Sequence, residues 1–136
     1  MNPPAKKRLL VSPEDWLTHA LSDLKLARVG KEDPEILAEQ TCFHAQQAVE
    51  KSLKAVLLFA KVDFPLTHDL RDLLEIFEAS DIVLPENFKE VDALTPYAVE
   101  SRYPGYWEVI TDQDVEEALK LAESVLDWAK TYIARK

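Results

Sequence analysis

Apolar residues recur at every third or fourth position along most of this chain, a spacing that places them on one face of an α-helix. The first such segment predicts a helix over residues 13–30. Ser12 can cap its N-terminus, Pro13 suits its first turn, and Gly30 is expected to end it. The predicted core side carries Trp16, Leu17, Ala20, Leu21, Leu24 and Ala27, and the predicted solvent side carries Thr18, Ser22, Asp23 and Lys25.

The second helical segment is the longest in the chain. It has no helix breaker between Pro34 and Pro65, so we predict a helix over residues 34–61 that begins after Asp33. A third, shorter helix is predicted over residues 69–79. The predicted buried stripes are Leu37, Phe43, Val49, Leu53, Val56, Leu57 and Ala60 in the second helix, and Leu70, Leu73, Leu74 and Phe77 in the third.

The regular pattern then breaks, because Pro85, Pro96 and Pro104 each interrupt a helix. We expect at most one short helix here, over residues 86–93, followed by irregular chain. Thr111 begins the last helix as a variant of the capping box, with an acid three positions later. The predicted buried stripe of this helix is Val115, Ala118, Leu119, Ala122, Val125, Leu126, Ala129 and Ile133.

These segments predict an all-α fold, an up-and-down antiparallel four-helix bundle with a short extra helix and a proline- and aromatic-rich loop before the last helix. The length of 136 residues suits one helical domain over residues 13–136, preceded by an N-terminal arm over residues 1–12. The two glycines, Gly30 and Gly105, are too few for the glycine-rich phosphate loops of Walker and Rossmann sites.

Charge and cysteine content exclude several function classes. The net charge of −9 argues against a surface that follows DNA phosphates broadly. The single Cys42 cannot form an internal disulfide, and with three scattered histidines it offers no zinc cluster. The longest apolar run has six residues, where a membrane span needs about 20. We therefore expect a cytoplasmic protein with no membrane contact, no metal site and no cofactor.

A polar row on the second helix is the first candidate for chemistry. Its members lie three or four positions apart and hence share one helix face. One interpretation is a groove that donates hydrogen bonds and positive charge to a phosphate, and the other is the solvated flank that every amphipathic helix has. The row consists of Gln40, His44, Gln47, Lys51 and Lys54.

The second candidate is the segment over residues 97–107, which holds 4 of the 12 aromatic residues of the chain. An arginine among tyrosine rings, as at Arg102, can contact a base and a phosphate together. The alternative is an aromatic lid that seals the end of the bundle, with Arg102 paired to an acid. Acidic residues are also concentrated over residues 86–127, which contain 11 Asp and Glu residues and only three Lys and Arg residues.

Three blocks of sequence occur in the order and spacing of a known family. They read FHAQQAVEKSLKAVL over residues 43–57, HDL over residues 68–70, and TPY followed by RYP over residues 95–104. In these blocks the chain resembles the HEPN domain family (higher eukaryotes and prokaryotes nucleotide-binding), in its stand-alone prokaryotic form. The resemblance implies a helical bundle that is often dimeric and that commonly pairs with a small nucleotidyltransferase, as toxin and antitoxin.

The resemblance also implies a test for catalysis. Many HEPN toxins are metal-independent RNases that use an arginine and a histidine with four to six residues between them. Arg102 stands where that arginine belongs, but the residues that follow it at the required spacing are Trp107, Glu108 and Val109. Without the imidazole this mechanism loses its acid–base partner, which is ordinarily worth about 10²–10⁴-fold in rate. We therefore predict no catalytic residue.

The sequence thus predicts a HEPN-like module, homodimeric, that binds a nucleotide or nucleotide-bearing substrate or docks a small nucleotidyltransferase. Two alternatives stay open. One is an RNase toxin in which His44 or His68 replaces the missing histidine, and the other is a purely structural module whose acidic region binds a basic partner protein. The predicted nucleotide-binding residues are Arg102, Lys51, Tyr97, Tyr103, His44, Gln47 and Lys54.

Overall fold

The computed structural model describes residues 12–98 and 109–135, which form four α-helices and one long 3₁₀ helix. Neither described range contains a β-strand, so the predicted all-α fold is confirmed. The elements are α1 (Pro13–Glu32), α2 (Ala38–Phe59), α3 (Leu70–Glu78), the 3₁₀ helix (Glu86–Ala98) and α4 (Asp112–Ala134).

The helix α2 is the centre of the bundle and packs against every other element. The helix α1 runs antiparallel to α4, because Arg28 pairs with Glu123 while Lys31, further along α1, pairs with the earlier Glu116. Trp128 of α4 ties the shorter elements to the long ones, through edge-on ring contacts with Phe77 of α3 and Phe88 of the 3₁₀ helix. All five elements therefore contribute to one core.

The predicted helix starts of α1 and α4 are confirmed. The Ser12 Oγ accepts a hydrogen bond from the Asp15 backbone N–H at 3.0 Å. Thr111 and Asp114 form the reciprocal capping box, with bonds of 3.1 and 2.9 Å. Each of the eight apolar residues predicted for the last helix is buried.

The prediction that Gly30 ends the first helix is wrong, because α1 continues to Glu32. Gly30 is buried where α1 crosses α2, and a Cβ added to it would lie 2.4 Å from the Oγ1 of Thr41. The glycine therefore permits a close approach of two helices and does not serve as a terminator.

The second helix also begins later than predicted, at Ala38. Asp33 starts a turn instead of a helix, because its side chain accepts from the Glu35 N–H at 2.9 Å and its carbonyl accepts from the Ile36 N–H at 3.0 Å. Leu37, predicted to be buried, precedes the helix and is 62 % exposed.

The irregular region holds more structure than the predicted short helix over residues 86–93. A 3₁₀ helix has three residues per turn, so side chains three positions apart lie in one row. Phe88, Val91 and Leu94 have this spacing, and all three are buried. A period of three, and not 3.6, is thus the sequence signal for the segment Glu86–Ala98.

Candidate functional site

The polar row of α2 divides into two ionic networks, one partly exposed and one buried, instead of pointing at one open site. His44 and Lys51 contact one carboxylate, that of Asp23 on α1. Lys54 contacts a different one, that of Glu50 on α2 itself. Gln40 is exposed at the start of the row.

The first network joins α1 to α2 around Asp23, whose side chain is only 11 % exposed. The Lys51 ammonium donates to one carboxylate oxygen at 2.7 Å, and the other oxygen lies 2.9 Å from the His44 Nδ1. The sequence pattern placed Asp23 on the solvent side of α1, and that prediction is wrong. Asp23 sits within the buried stripe and is tolerated there because two donors from α2 reach its carboxylate.

The second network surrounds Glu50, whose side chain is 3 % exposed. Its carboxylate accepts from the Lys54 ammonium at 2.8 Å and the Gln46 amide at 3.1 Å, and it lies 3.0 Å from the Nδ1 of His68. Lys54 also donates to the Thr67 carbonyl at 2.8 Å. The network therefore holds the chain before α3 against α2.

The Lys54 ammonium has further partners besides these oxygens. Its Nζ lies 5.6 Å from the ring centroid of Trp16 and 5.7 Å from that of Phe64, within the range of cation–π attraction. A buried charge needs such compensation, since water no longer solvates it. Carboxylate, carbonyl and ring faces together thus neutralise the charge of Lys54 inside the fold.

Tyr97, on the 3₁₀ helix, lies beside another face of α2. Its hydroxyl is close to the side chain of Cys42, which is fully buried. Burial raises the pKa of the Tyr97 hydroxyl to about 12, and burial likewise raises the pKa of the Cys42 thiol to about 12. Cys42 and Lys51 are nine positions apart, which puts them on opposite faces of a helix with 3.6 residues per turn.

The structure therefore brings together only part of the predicted nucleotide site. His44 and Lys51 share Asp23, and Gln47 donates to the Gln46 side chain at 2.7 Å. Lys54 and Tyr97 each have other partners. Arg102 and Tyr103 lie outside the described residues.

The carboxylates that organise both networks, Asp23 and Glu50, were missing from the predicted site. Glu50 could have been found, because Glu50 and Lys54 have the i,i+4 spacing of a helical ion pair. Asp23 has a weaker signal, an acid between the buried Ala20 and Leu24.

In the described ranges, no group of three or more His, Cys, Asp or Glu side chains is placed to hold a metal ion.

Comparison with known proteins identifies the family. A model of the HEPN domain matches residues 13–132 of this chain. The chain belongs to the HEPN family. A protein of Methanocaldococcus jannaschii named "Putative toxin MJ1304" is 28 % identical over an alignment of 135 positions, which covers 89 % of this chain and 88 % of that protein.

Two solved structures resemble this HEPN chain over nearly its whole length. The crystal structure of TT1696 from Thermus thermophilus has a TM-score of 0.76 and 29 % identity, and it covers 90 % of this chain and 99 % of its own. The structure of ST0689, described as an archaeal HEPN homologue, has a TM-score of 0.68 and 28 % identity, with coverage of 90 % and 98 %.

The three HEPN sequence blocks meet in the structure. Glu50, from the first block, lies against His68 from the second. The backbone N–H of Leu70, at the start of α3, donates to the Oγ1 of Thr95 in the third block at 3.0 Å. These parts of the family pattern thus hold α2, α3 and the 3₁₀ helix together.

No helix in residues 12–98 or 109–135 is long and apolar enough to cross a membrane.

Proposed function

We propose that this HEPN chain is one member of a toxin–antitoxin-type pair, in which it docks a small nucleotidyltransferase. Membership of the HEPN family and the relative whose name proposes a toxin support the pairing. The observation that favours docking over phosphate binding is that both lysines of α2, Lys51 and Lys54, are already paired with carboxylates. Each ammonium lies within 2.8 Å of a carboxylate oxygen inside the fold.

This arrangement disfavours a phosphate site built from α2 alone. A phosphate at Lys51 would compete with the Asp23 carboxylate, which is already in place and close to buried. Lys54 is 5 % exposed, so a ligand would have to open the fold to reach it. The polar side chains of α2 therefore hold the fold together. A surface elsewhere on the molecule is the better candidate for binding a partner.

The direct test of docking is co-expression with the product of the adjacent open reading frame. We expect a stable complex in size-exclusion chromatography with light scattering, and relief of any growth arrest caused by this chain alone. Failure of the two proteins to associate at low salt would contradict the proposal. The same experiment on this chain alone tests the proposed homodimer, which would have twice the mass of 15.5 kDa.

Nucleotide binding stays a separate proposal that depends on Arg102 and Tyr103, with Lys51 as the most accessible cation of α2. Calorimetric titration with ATP and GTP at low salt tests it, with Arg102→Ala as the variant and Arg135→Ala as the control. Heat that is lost only in Arg102→Ala would support a nucleotide site. No heat with wild type would remove the nucleotide and leave the docking proposal in place.

One observation favours a second function, RNA cleavage by a displaced histidine. The imidazole of His68 is 70 % exposed, while the carboxylate that lies against its Nδ1 is 3 % exposed. A buried carboxylate behind an exposed imidazole is the arrangement of a general acid–base pair. Cleavage of a labelled RNA that is lost in His68→Ala and kept in His19→Ala would support this function, and an inert wild type would exclude it.

A further inference from the structure

A groove between the 3₁₀ helix and the first four turns of α4 has no part in the ionic networks of α2. Its volume is about 460 Å³. Side chains of both elements line it, since Leu94 and Tyr97 come from the 3₁₀ helix and Leu121 comes from α4. It is therefore a surface made by two elements that the core holds in place, through the buried Leu94 and the neighbouring Ala118.

The floor of this groove is apolar and its rim is acidic. Leu94 is 4 % exposed and Ala118 is fully buried, so both form the base. The carboxylates of Glu90, Asp114 and Glu117 stand among the lining residues, against a single cation, Lys120. An apolar base with a charged rim is the composition of a protein–protein contact surface.

The rim carboxylates differ in how far they are already engaged. Asp114 completes the capping box of α4 through the Thr111 N–H at 2.9 Å. Within the described ranges, the exposed Glu117 carboxylate accepts a single side-chain hydrogen bond, from the neutral Gln113 amide at 3.1 Å. Glu90 is exposed and has no hydrogen bond or ion pair within the described part of the chain. Two carboxylates at the rim are thus open to a cationic partner.

The carboxylates of the rim also act on Tyr97, which lines the groove. Burial and the neighbouring Cys42 sulfur raise the pKa of Tyr97, and the carboxylates of Asp114 and Glu117 raise it further. A negative potential at the phenol repels anions and attracts cations. A nucleotide phosphate is therefore a poor occupant of this groove.

We propose that this groove docks a basic, amphipathic segment of the partner protein, with apolar side chains on the floor and Lys or Arg side chains at Glu90 and Glu117. This inference rests on the proposed docking function and names the surface and the chemistry of the partner. The match of an acidic rim with basic side chains speeds association and rejects acidic partners. The apolar floor supplies the buried contact that charge alone does not give.

The test uses the whole protein and a synthetic amphipathic peptide of leucine and lysine as the probe. The rim variant carries Glu90→Lys and Glu117→Lys. Its matched control carries Glu75→Lys and Glu78→Lys, the same change of charge at two exposed positions of α3. Fluorescence anisotropy measures the affinity for the peptide, and circular dichroism checks that each variant is folded.

We expect the rim variant to lose about tenfold or more in affinity, because like charges then face each other at the contact, while the control loses less than about threefold. In wild type, the methyl resonances of Leu94 and Leu121 are expected to shift on titration. An equal loss in both variants would mean that net charge alone drives binding and would overturn the proposal. Peptide-induced shifts confined to another face would overturn it as well.

The same variants separate this inference from the proposed function. If the adjacent gene product binds wild type and both variants equally, docking stands and the groove is the wrong surface. If that protein binds none of them while the peptide still selects the rim, the choice of partner is wrong and the surface remains. A rim variant that changes the oligomeric state of this chain would assign the groove to a second copy and overturn a basic partner segment.

Discussion

Glu50 and Glu117 are the same residue type on two helices of one bundle, and the structure uses them in opposite ways. Glu50 is buried. Its carboxylate accepts hydrogen bonds from the Lys54 ammonium and the Gln46 amide and contacts the His68 imidazole, so its charge stabilises the fold. Glu117 is exposed and receives one neutral amide. The difference teaches that a charged residue within a family motif need not serve a ligand, whereas an ordinary surface acid can be the one that is available.

The largest effect is expected from Glu50→Gln. The substitution leaves the buried Lys54 without its counter-charge, which should lower the free energy of unfolding by about 3 kcal/mol. Urea unfolding measures it, with the exposed Glu75→Gln on α3 as a control that should change stability by less than about 0.5 kcal/mol. A Glu50→Gln protein as stable as wild type would contradict the buried network.

A companion variant sharpens this result. Glu50→Gln combined with Lys54→Met removes both charges, so most of the lost stability should return. If the double variant is as unstable as the sum of the two single ones, then the charges do not interact.

The raised pKa of Tyr97, which lines the groove, predicts that the fold loses stability at alkaline pH. The pKa of the Tyr97 hydroxyl is raised from 10 to about 12 in the folded chain, so between these values the folded state holds a proton that the unfolded chain has lost. Stability due to this group is therefore full below pH 10 and falls as the pH rises toward about 12. The buried Cys42 thiol, whose pKa is also raised, acts in the same direction.

Thermal unfolding across this alkaline range tests the prediction. The decline in melting temperature should be shallower in Tyr97→Phe, which has no phenol to ionise. Phenolate absorbance of the other three tyrosines provides the internal reference. Identical declines in the variant and in wild type would mean that Tyr97 is not held in its neutral form.

A smaller loss is expected from Asp23→Asn. His44 and Lys51 are about a quarter exposed, so water can resolvate them in part, and the loss should be about 1–2 kcal/mol. Double-mutant cycles with Lys51→Met give the coupling between the two side chains. A loss as large as that of Glu50→Gln would show that the two networks are equally buried, contrary to the greater exposure of His44 and Lys51.

The smallest effect on stability is expected at the rim. Glu117→Gln should change the free energy of unfolding by less than about 0.5 kcal/mol, because an exposed carboxylate with one neutral partner contributes little. Chemical unfolding beside the Glu50→Gln measurements gives the comparison directly. Strong destabilisation here would assign the rim a structural role and weaken its case as a docking surface.

Much of the fold could be predicted because its signals are local. Caps such as Ser12 and Thr111, and the eight-residue stripe of α4, follow from a few neighbouring residues. The errors arose where a distant element decides the outcome. Gly30 is required by the close approach of Thr41 on another helix. The long 3₁₀ helix follows a period of three, which is easily mistaken for an interrupted α-helix.

The site was less predictable than the fold for a related reason. Spacing showed that His44, Lys51 and Lys54 share a side of α2, but not that a carboxylate from α1 and one from α2 itself would reach them. Whether a cation is open to a ligand depends on tertiary contacts, which sequence spacing does not contain. The prediction that the structure contradicts is the placement of Asp23 on the solvent side, which was made from its polarity alone.

We infer that the lysines of α2 stabilise the fold and do not bind a phosphate. The most direct test is an NMR spectrum selective for lysine ammonium groups, recorded with and without saturating ATP. Buried, hydrogen-bonded ammonium protons exchange slowly, so Lys54 should give a visible signal, and ATP should leave it and any Lys51 signal unmoved. Shifts of both signals with ATP would contradict the account and restore the phosphate site on α2.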